Sequence, residues 1–574
     1  MRKSLVAVLL VAMLAGTLAT AQQGAQPANY STAAVAGLPP AAVKAMNSID
    51  ADRIRVQVQE LSSDKYEGRG TGQPGGDKAA QYIAAEFKKY GLKPAGDKGT
   101  FIQNVPMVGI ATEPSTKVQI APEKGQPMNL TLREDIVAMD ESQNRTSHVE
   151  APIVFVGYGI QAPEYKWNDY KDVDVKGKIL LMLVNEPPSE DDNFFKGKAL
   201  TYYGRWTYKF EQAARMGAVG ALIIHQTDMA SYGWNVVQTS WSGERSYLRN
   251  DGKPKLKIAS WITGDVAQKL AAFMGTDVPS LIKQAASPDF RPVPVPATLT
   301  AHMVSTVRPF ESANVIAMVA GSDPKLKNEA VLYSAHYDHL GVRSGITGDN
   351  IYNGAIDNAT GIGILLEMAR AFSVAQQKPK RSIYFAAVTA EEQGLRGSEW
   401  LGLHPPVPAG QITLGLNFDG LAPIGVPEEV EVTGADRTTF YPTLQEVAQA
   451  FNFKIMPDSN PGAGFFYRSD HFSLARVGVP AFSVNQGDKY EGKDRAFGEN
   501  WGKEYTKKDY HQPSDEFKSD WDFKGNVKMA RFGFALGWKA ANQPELVAWK
   551  PGDEFEAARQ KSLSNPKAQV RGTN

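Results

Sequence analysis

The hydrophobic pattern is clearest between Val331 and Glu392, where two apolar runs of strand length flank an apolar pattern of helix length. A further apolar run begins at Ile412. Strand, helix and strand in this order predict an α/β fold with a mostly parallel central sheet flanked by helices. Acidic and imidazole side chains stand where these elements begin or end: His336, Asp338, Asp357, Glu391, Glu392 and Asp419.

These six side chains are expected to converge. In an open parallel sheet, ligands bind beyond the carboxyl ends of the strands. One acidic residue at a strand end is unremarkable, and solvated acids are the simplest interpretation of it. Three successive strand ends and a helix start favour a functional crevice instead. The adjacent pair Glu391 and Glu392 fits a site in which one carboxylate binds metal and the other moves a proton.

The segments before this region predict two different blocks. Residues 45–112 contain a helical pattern after a glycine-rich turn, and Glu67 to Arg69 could be a salt-bridged turn or a functional element, with chemistry alone favouring the turn. Residues 113–300 contain short strands rich in branched side chains and end in a proline-rich linker. Because the histidines of this block are isolated, we expect no metal site in it. We interpret the block as a separate domain inserted into the catalytic one.

The last part of the chain is expected to complete the first block. Residues 301–542 contain the central pattern and close with a helix from Asn526 to Ala541. The polar tail, residues 543–574, is expected to wrap the surface and then become disordered.

The amino terminus follows the pattern of a secretory signal peptide over residues 1–21. Arg2 and Lys3 precede an apolar run from Leu5 to Leu18, and small residues at 19–21 supply a cleavage pattern. This run is shorter than the roughly 20 residues that span a bilayer. We expect export to the periplasm or the exterior without a membrane anchor; an uncleaved anchor is the alternative. Residues 22–44 are expected to form a flexible lead-in.

The amino-acid composition limits the partners and the kinds of site that the chain can have. A chain of 574 residues predicts two or more domains. Basic and acidic residues both number 62, which gives no reason to expect a nucleic-acid partner. The lack of cysteine excludes disulfides, thiol nucleophiles and cysteine zinc ligands. A metal would therefore be held by Asp, Glu and the eight His.

A metal centre at the crevice needs one more histidine. Two metals that share a carboxylate need about five protein groups and a free base. His404 lies in a proline-rich loop and is interpreted as structural, whereas His471 and His511 are equal candidates on chemistry alone. His339 is expected to be peripheral, because a strand that ends at His336 would turn before it.

Several segments resemble metallopeptidase family 28, the di-zinc exopeptidases: SAHYDH, NGAIDNATGIGILLEMAR, TAEEQGLRGSEWL, LNFDG and DYHQPSD. The segment LSSDKYEGRGTG is similar to the family's amino-terminal region. The resemblance extends from about Ile49 to Asn542 and implies the zinc exopeptidase fold, split into residues 45–112 and 301–542. Residues 113–300 resemble a protease-associated domain, which implies a β-rich inserted domain.

The resemblance implies a ligand set for two Zn²⁺ ions. Asp357 resembles the carboxylate that bridges both ions. His336 and Asp419 would complete one site, and Glu392 and His511 the other, so the family pattern favours His511 as the missing histidine.

It also implies roles around the metals. Glu391 resembles the general base, which takes a proton from the attacking water and returns it to the departing amine. Tyr510 is similar in position to a tyrosine that donates to the oxyanion, and Asp338 to a carboxylate that orients His336. A cis peptide after Asp357 is implied as well.

A substrate pocket is expected from one further group of side chains: Phe465, Phe466, Tyr467, Asp470 and His471. Hydrophobic packing of this loop explains its aromatic residues equally well.

The resemblance favours an aminopeptidase that acts on peptides with a free amino terminus. A carboxypeptidase of the glutamate-carboxypeptidase type is the closest alternative, but it predicts clustered arginines, and Arg468 and Arg476 are too few in the sequence. A single-zinc glutaminyl cyclase and a non-catalytic ectodomain resembling the transferrin receptor are further alternatives. The complete ligand set and Glu391 argue against the ectodomain. The oligomeric state stays open.

Overall fold

The computed structural model describes residues 38–564, except residues 231, 242, 250, 344–346 and 459. The predicted signal peptide and most of the predicted lead-in lie outside the described residues. The end of the lead-in differs from the expected flexible segment, because a helix begins at Pro40 with its Ala42 buried. Within the described range, no helix combines the length and the apolar character that crossing a membrane requires.

The described residues form helices and strands that alternate along most of the chain. The helices are α1 (Pro40–Asn47), α2 (Ala51–Leu61), α3 (Pro74–Lys89), α4 (Trp206–Arg215), α5 (Thr227–Ala230), α6 (Trp234–Ser240), α7 (Gly264–Phe273), α8 (Val278–Ala285), α9 (Thr360–Val374), α10 (Arg396–Leu403), α11 (Tyr441–Ala450), α12 (His471–Arg476), α13 (Arg495–Lys508), α14 (Lys524–Asn542) and α15 (Glu556–Ser564). The strands are β1 (Lys93–Pro94), β2 (Ile102–Thr112), β3 (Lys117–Pro122), β4 (Met128–Leu130), β5 (Ile136–Met139), β6 (Thr146–Phe155), β7 (Gln161–Ala162), β8 (Trp167–Asn168), β9 (Ile179–Leu183), β10 (Gly220–Ile224), β11 (Arg245–Leu248), β12 (Ile258–Ile262), β13 (Val293–Val319), β14 (Ala330–His336), β15 (Gly341–Val342), β16 (Ile351–Tyr352), β17 (Ser382–Val388), β18 (Ile412–Asn417), β19 (Glu429–Glu431), β20 (Lys454–Met456), β21 (Ala481–Ser483) and β22 (Asn485–Gln486).

The central sheet contains the strands predicted from the apolar runs. Strands β21, β18, β14 and β17 are parallel neighbours in this order, and β13 pairs with β17 in the antiparallel direction. Every residue of β14 and β17 is buried, as expected when helices cover both faces of a parallel sheet. The predicted α/β class with a mostly parallel central sheet is confirmed.

Helix packing fixes the strand ends that carry the candidate site. On one face, α9 contacts both α2 and α14, and Phe372 of α9 stacks on Phe534 of α14 with ring centroids 4.0 Å apart. Gly537 of α14 permits this approach to the sheet, since a Cβ there would lie 1.7 Å from the hydroxyl oxygen of Tyr333 in β14. On the other face, the apolar side chains of α10 and α12 are buried against the same strands.

Residues 113–300 form a second layer with apolar clusters of their own. Strands β6, β9, β10 and β12 are parallel neighbours, and β5 pairs with β12 in the antiparallel direction. Parallel neighbours need crossover connections, and α4 supplies the one from β9 to β10. The block therefore combines many strands with helices α4 to α8.

Strand β13 belongs to both sheets. It has 27 residues; its first half pairs with β6 of the second layer, and Val315 to Val319 pair with β17 of the central sheet. Main-chain hydrogen bonds along a single strand therefore connect the two layers.

The carboxyl-terminal tail is more than a surface wrap over its described part. Trp549 and Phe555 are buried. Arg559 on α15 is also buried and donates to the carbonyl oxygens of Ala409 (3.1 Å) and Ile412 (3.0 Å) at the start of β18. Residues 543–564 thus contribute to the core of the central layer.

Candidate metal centre

The ends of three parallel strands and the start of α9 meet at one edge of the central sheet. His336 is the last residue of β14, Asp419 follows β18, and Glu391 and Glu392 follow β17. Asp357 lies in the turn just before α9, and its peptide bond to Asn358 is cis, as the resemblance implies. The structure brings these side chains together as their positions at strand ends predict.

The first group of possible ligands contains His336, Asp357 and Asp419. His336 Nε2 lies 3.2 Å from Oδ1 of Asp357 and 3.2 Å from Oδ1 of Asp419. Ser469 donates a 2.6 Å hydrogen bond to the other oxygen of Asp419 and so holds that carboxylate in place. These three side chains direct one nitrogen and two oxygens toward a common point.

The second group uses the other oxygen of Asp357. His511 Nε2 lies 3.3 Å from Oδ2 of Asp357 and 3.1 Å from Oε2 of Glu392. The two oxygens of Asp357 therefore face two different histidines. This is the arrangement that a carboxylate shared between two cations requires.

His339 is also part of the second group, and the expectation that it is peripheral is wrong. Its buried ring places Nδ1 at 2.8 Å from Oε1 of Glu392 and 4.0 Å from Oδ2 of Asp357. The chain does not turn away after His336, because residue 339 forms a bridge with Gly70 and its backbone N–H donates to the carbonyl oxygen of Arg69. This contact is distant in sequence, and no local periodicity signals it.

The Asp338 carboxylate contacts the two residues that follow β17 more closely than it contacts the His336 ring. Its carboxylate accepts from the backbone N–H groups of Glu391 (3.0 Å) and Glu392 (3.4 Å) and from the Thr71 hydroxyl (3.1 Å). The His336 ring lies 3.1 Å from the backbone oxygen of Asp338 but 3.8 Å from its carboxylate. The carboxylate therefore positions the two glutamates, while the backbone carbonyl orients the histidine.

Sequence reasoning assigned no role to Asp515. Its carboxylate accepts from the backbone N–H groups of Ile356 (3.0 Å) and Asp357 (3.1 Å) and from the Tyr505 hydroxyl (3.1 Å). It thereby fixes the turn that presents Asp357. An acidic residue four positions after His511 is the only sequence signal, and spacing alone does not reveal this contact.

Arg69 resolves the alternatives left open for the Glu67 to Arg69 segment. Glu67 pairs with Lys78 at 3.0 Å, so the turn's ion pair does not involve Arg69. The buried Arg69 guanidinium instead donates to the carbonyl oxygens of Tyr337 (2.6 Å) and Gly354 (2.7 Å), and also to those of Leu61 and Asn353. It joins the loop after β14 to the loop before Asp357.

The site carries an excess of negative charge. Burial raises the pKa of Glu391 well above its ordinary value, and the carboxylates of Glu392 and Asp419 raise it further. Although burial lowers the pKa of His511, the neighbouring Glu392 and Asp357 raise it to about 10. Crowded carboxylates that stabilise protonated neighbours in this way would also stabilise a bound cation.

Tyr510 lies at the mouth of the site. Its side chain is 45% exposed and its ring stacks on His511 with centroids 3.9 Å apart. Tyr510 lines the same cleft as Glu391 and Glu392. Its hydroxyl is therefore available to a substrate in that cleft.

The residues expected to line one substrate pocket lie in different places. Tyr467 lines the cleft beside Glu391. Phe466 lines a different cavity, and Phe465 is exposed outside both. Asp470 and His471 are buried, and the His471 ring packs on Phe466 with centroids 4.8 Å apart. Burial lowers the pKa of His471 to about 3, and it belongs to neither group of possible metal ligands.

The cleft has a volume of about 300 Å³ and lies between the central layer and the second layer. Arginines from both layers line it: Arg205, Arg245, Arg396, Arg468 and Arg476. The sequence reveals only the last two as neighbours in the chain. The expectation that arginines are too few around the cleft is therefore wrong.

The donor atoms fit a pair of zinc ions. Imidazole nitrogen and carboxylate oxygen are both zinc ligands. The first group offers His336 with two carboxylates, and the second offers two carboxylates with either His339 or His511. Three protein ligands leave a coordination position open, as in catalytic zinc sites.

Comparison with known proteins finds a family whose model matches part of the chain. Residues 314–533 match the model described as Peptidase family M28. A probable zinc metalloprotease of Pyrenophora teres f. teres (strain 0-1) is 31% identical over 144 residues, covering 25% of this chain and 25% of that protein. Leupeptin-inactivating enzyme 1 of Streptomyces exfoliatus is 26% identical over 265 residues, covering 45% of this chain and 55% of that protein. The matches thus span a quarter to about half of these relatives.

A solved structure, the aminopeptidase from Aneurinibacillus sp. strain AM-1, aligns with a TM-score of 0.47 and 21% identity, covering 89% of this chain and 98% of that one. The region matched by the family model contains both groups of possible metal ligands and Glu391. Residues 314–533, which contain the candidate metal centre, are therefore similar to peptidase family M28.

Proposed function

We propose that this protein is an exported di-zinc exopeptidase, an aminopeptidase that hydrolyses the N-terminal residues of peptides. The observation that carries the proposal is Asp357, whose two oxygens face His336 and His511 in separate ligand groups. Glu391 lines the cleft beside these groups. The match of residues 314–533 to the peptidase family and the zinc metalloproteases among the curated relatives support peptide hydrolysis.

Two Zn²⁺ ions would be held by residues of this chain. His336, Asp357 and Asp419 would hold one ion, and Asp357, Glu392 and His511 the other. Zinc bound there would polarise the scissile carbonyl and lower the pKa of the attacking water.

The chain's own residues would move the protons. Glu391 takes a proton from the attacking water and delivers it to the amine nitrogen as the peptide C–N bond breaks. Asp338 holds the Glu391 backbone in place. The Tyr510 hydroxyl donates to the oxygen that becomes negative in the transition state. The carboxylates at this end of the cleft suit a protonated α-amino group, which supports the aminopeptidase assignment.

Hydrolysis of aminoacyl amides and dipeptides, each compared with its N-acetylated form, tests this function. The zinc-loaded wild type should cleave only the substrates with a free amino group. Glu391→Gln should retain its zinc, measured by elemental analysis, and lose about 10²- to 10⁴-fold in kcat. A variant with unchanged kcat would contradict the role of Glu391.

The arginine-lined cleft favours a second candidate, the carboxypeptidase of the glutamate-carboxypeptidase type. Guanidinium groups are the preferred partners of a C-terminal carboxylate. Cleavage of N-acetylated dipeptides by the wild type would support this candidate and reject the aminopeptidase.

We also propose that residues 1–21 direct export and that residues 113–300 are an inserted domain of the protease-associated type. Support for the insertion comes from its separate apolar clusters and from its ion pairs to the central layer, such as Glu211 with Arg476 at 2.9 Å.

A further inference from the structure

Three of the five arginines in the cleft already have partners. Arg396 pairs with Glu399 at 3.0 Å, and Arg476 pairs with Glu211 at 2.9 Å. Arg245 donates to the carbonyl oxygen of Ser240 at 2.7 Å, and its guanidinium lies over the rings of Trp206 and Trp241. These three side chains are held by the protein itself.

Arg205 and Arg468 differ from the other three. Among the described residues, neither guanidinium forms an ion pair or a side-chain hydrogen bond, and Nε of Arg205 is buried without an acceptor. The Arg468 guanidinium lies over the ring of Phe465, 5.5 Å from the ring centroid. The two side chains line the cleft beside Glu391 and also a small adjoining cavity, where Tyr232 is their neighbour.

The two guanidinium groups are close enough to repel each other. Burial, together with the charge of Arg468, lowers the pKa of Arg205 to about 10. Four carboxylates line the same cleft. Glu211 and Glu399 are engaged by other cations, and Glu391 and Glu392 belong to the candidate metal centre, where Glu392 contacts His511. Two like charges facing a partly buried cavity are unfavourable unless an anion enters.

The position of the pair indicates which anion. Ser469, next to Arg468, bonds to Asp419 of the first ligand group, so this arginine lies beside the proposed reaction centre. Arg205 comes from the second layer, just before α4, whereas Arg468 comes from the central layer, and both line the cleft. Planar guanidinium groups bind carboxylates through paired hydrogen bonds.

We propose that Arg205 and Arg468 together bind a carboxylate of the substrate, so that the cleft selects peptides carrying an anionic group. The inference rests on the proposed peptidase function and adds the chemical class of its substrates. The carboxylate can be the C-terminal group of a short peptide or an acidic side chain next to the scissile bond.

Matched substrates distinguish these sources. Leu-Gly carries a terminal carboxylate, Leu-Gly amide carries none, and Leu-Glu amide carries only a side-chain carboxylate, for which Leu-Gln amide is the neutral counterpart. Wild-type protein should favour at least one acidic substrate over its neutral counterpart by about tenfold in kcat/KM. Which pair shows the preference identifies the source.

Arg205→Gln and Arg468→Gln should each reduce that ratio toward one, mainly through KM, while cleavage of the neutral amides persists. Arg205→Lys should retain part of the preference. Arg291→Gln, which changes an exposed arginine paired with Asp172 outside the cleft, is the matched control and should keep the wild-type ratio. Equal ratios in the wild type and both Gln variants would overturn the inference while leaving the peptidase function intact.

Binding provides a readout that does not depend on turnover. Calorimetric titration of zinc-loaded Glu391→Gln with each of the four substrates should give tighter binding of at least one acidic substrate than of its neutral counterpart, and adding Arg205→Gln should abolish the difference. Equal affinities for all four substrates would reject the carboxylate site even if the wild type hydrolyses none of them. Thermal unfolding of each variant checks that it is folded.

Discussion

At the scale of single residues, the site depends on side chains that hold its proposed ligands. Asp338 and Asp515 both accept from backbone N–H groups of other site residues, and His339 contacts the Glu392 carboxylate directly. Hydrogen-bonding partners of this kind fix the orientation of metal ligands. Their removal should affect metal affinity before it affects stability.

His339 gives the clearest test at this scale. His339→Ala removes the nitrogen 2.8 Å from Glu392, and we expect zinc affinity to fall by about 10- to 100-fold. Competition with a chromogenic chelator measures this without turnover. His302→Ala, at an exposed position of β13, is the control and should leave affinity unchanged. Unaltered affinity in His339→Ala would show that this ring contributes nothing to metal binding.

At the scale of elements, loops distant in sequence are held together by a few buried donors. Arg69 joins the loop after β14 to the loop before α9 by donating to four carbonyl oxygens. Arg69→Lys keeps the charge but cannot reach all four acceptors, so buried carbonyls lose partners. We expect the free energy of unfolding to fall by about 1–3 kcal/mol and zinc affinity to decrease.

Urea unfolding and chelator competition measure both effects of Arg69→Lys. Arg291→Lys alters an exposed ion pair with Asp172 and should change stability by less than about 1 kcal/mol. If Arg69→Lys lowers stability and zinc affinity no more than Arg291→Lys does, Arg69 does not join these loops.

The elements that sequence predicts correctly are those fixed by local pattern. Apolar runs place β14, β17 and β18. The strand ends place His336 and Asp419 at one edge, and the start of α9 places Asp357 there. The failures involve contacts between distant segments: the bridge from Gly70 that holds His339, and the arginines that two layers contribute to one cleft. Neither has a local period or composition that a single sequence reveals.

At the scale of the whole molecule, a buried ion-pair network connects the second layer to the tail. Glu554 pairs with Arg437 (2.7 Å) and Lys196 (3.3 Å) and accepts from the Tyr467 hydroxyl (2.7 Å). Although burial raises the pKa of Glu554, Arg437 and Lys196 outweigh it, and the pKa lies below its ordinary value.

This lowered pKa predicts how stability depends on pH. The ionised Glu554 stabilises the fold above the ordinary glutamate pKa of about 4.3, and that stability is lost as pH falls through the lower folded value. Glu554→Gln should therefore be less stable than the wild type near pH 7, with a difference that shrinks under acid. Urea unfolding near pH 7 and at acidic pH measures this stability difference. Glu190→Gln alters an exposed ion pair with Lys198 and is the control. If the stability difference between Glu554→Gln and the wild type did not change with pH, the charge of Glu554 would not be its cause.

The shared strand β13 has a consequence for how substrates enter. A swinging motion of the second layer would have to bend one strand whose hydrogen bonds span both sheets, and bending would break bonds in each. The second layer is thus a fixed wall, and the opening above Glu391 keeps its width. Flexible chain ends can pass such an aperture, whereas folded proteins are excluded by size.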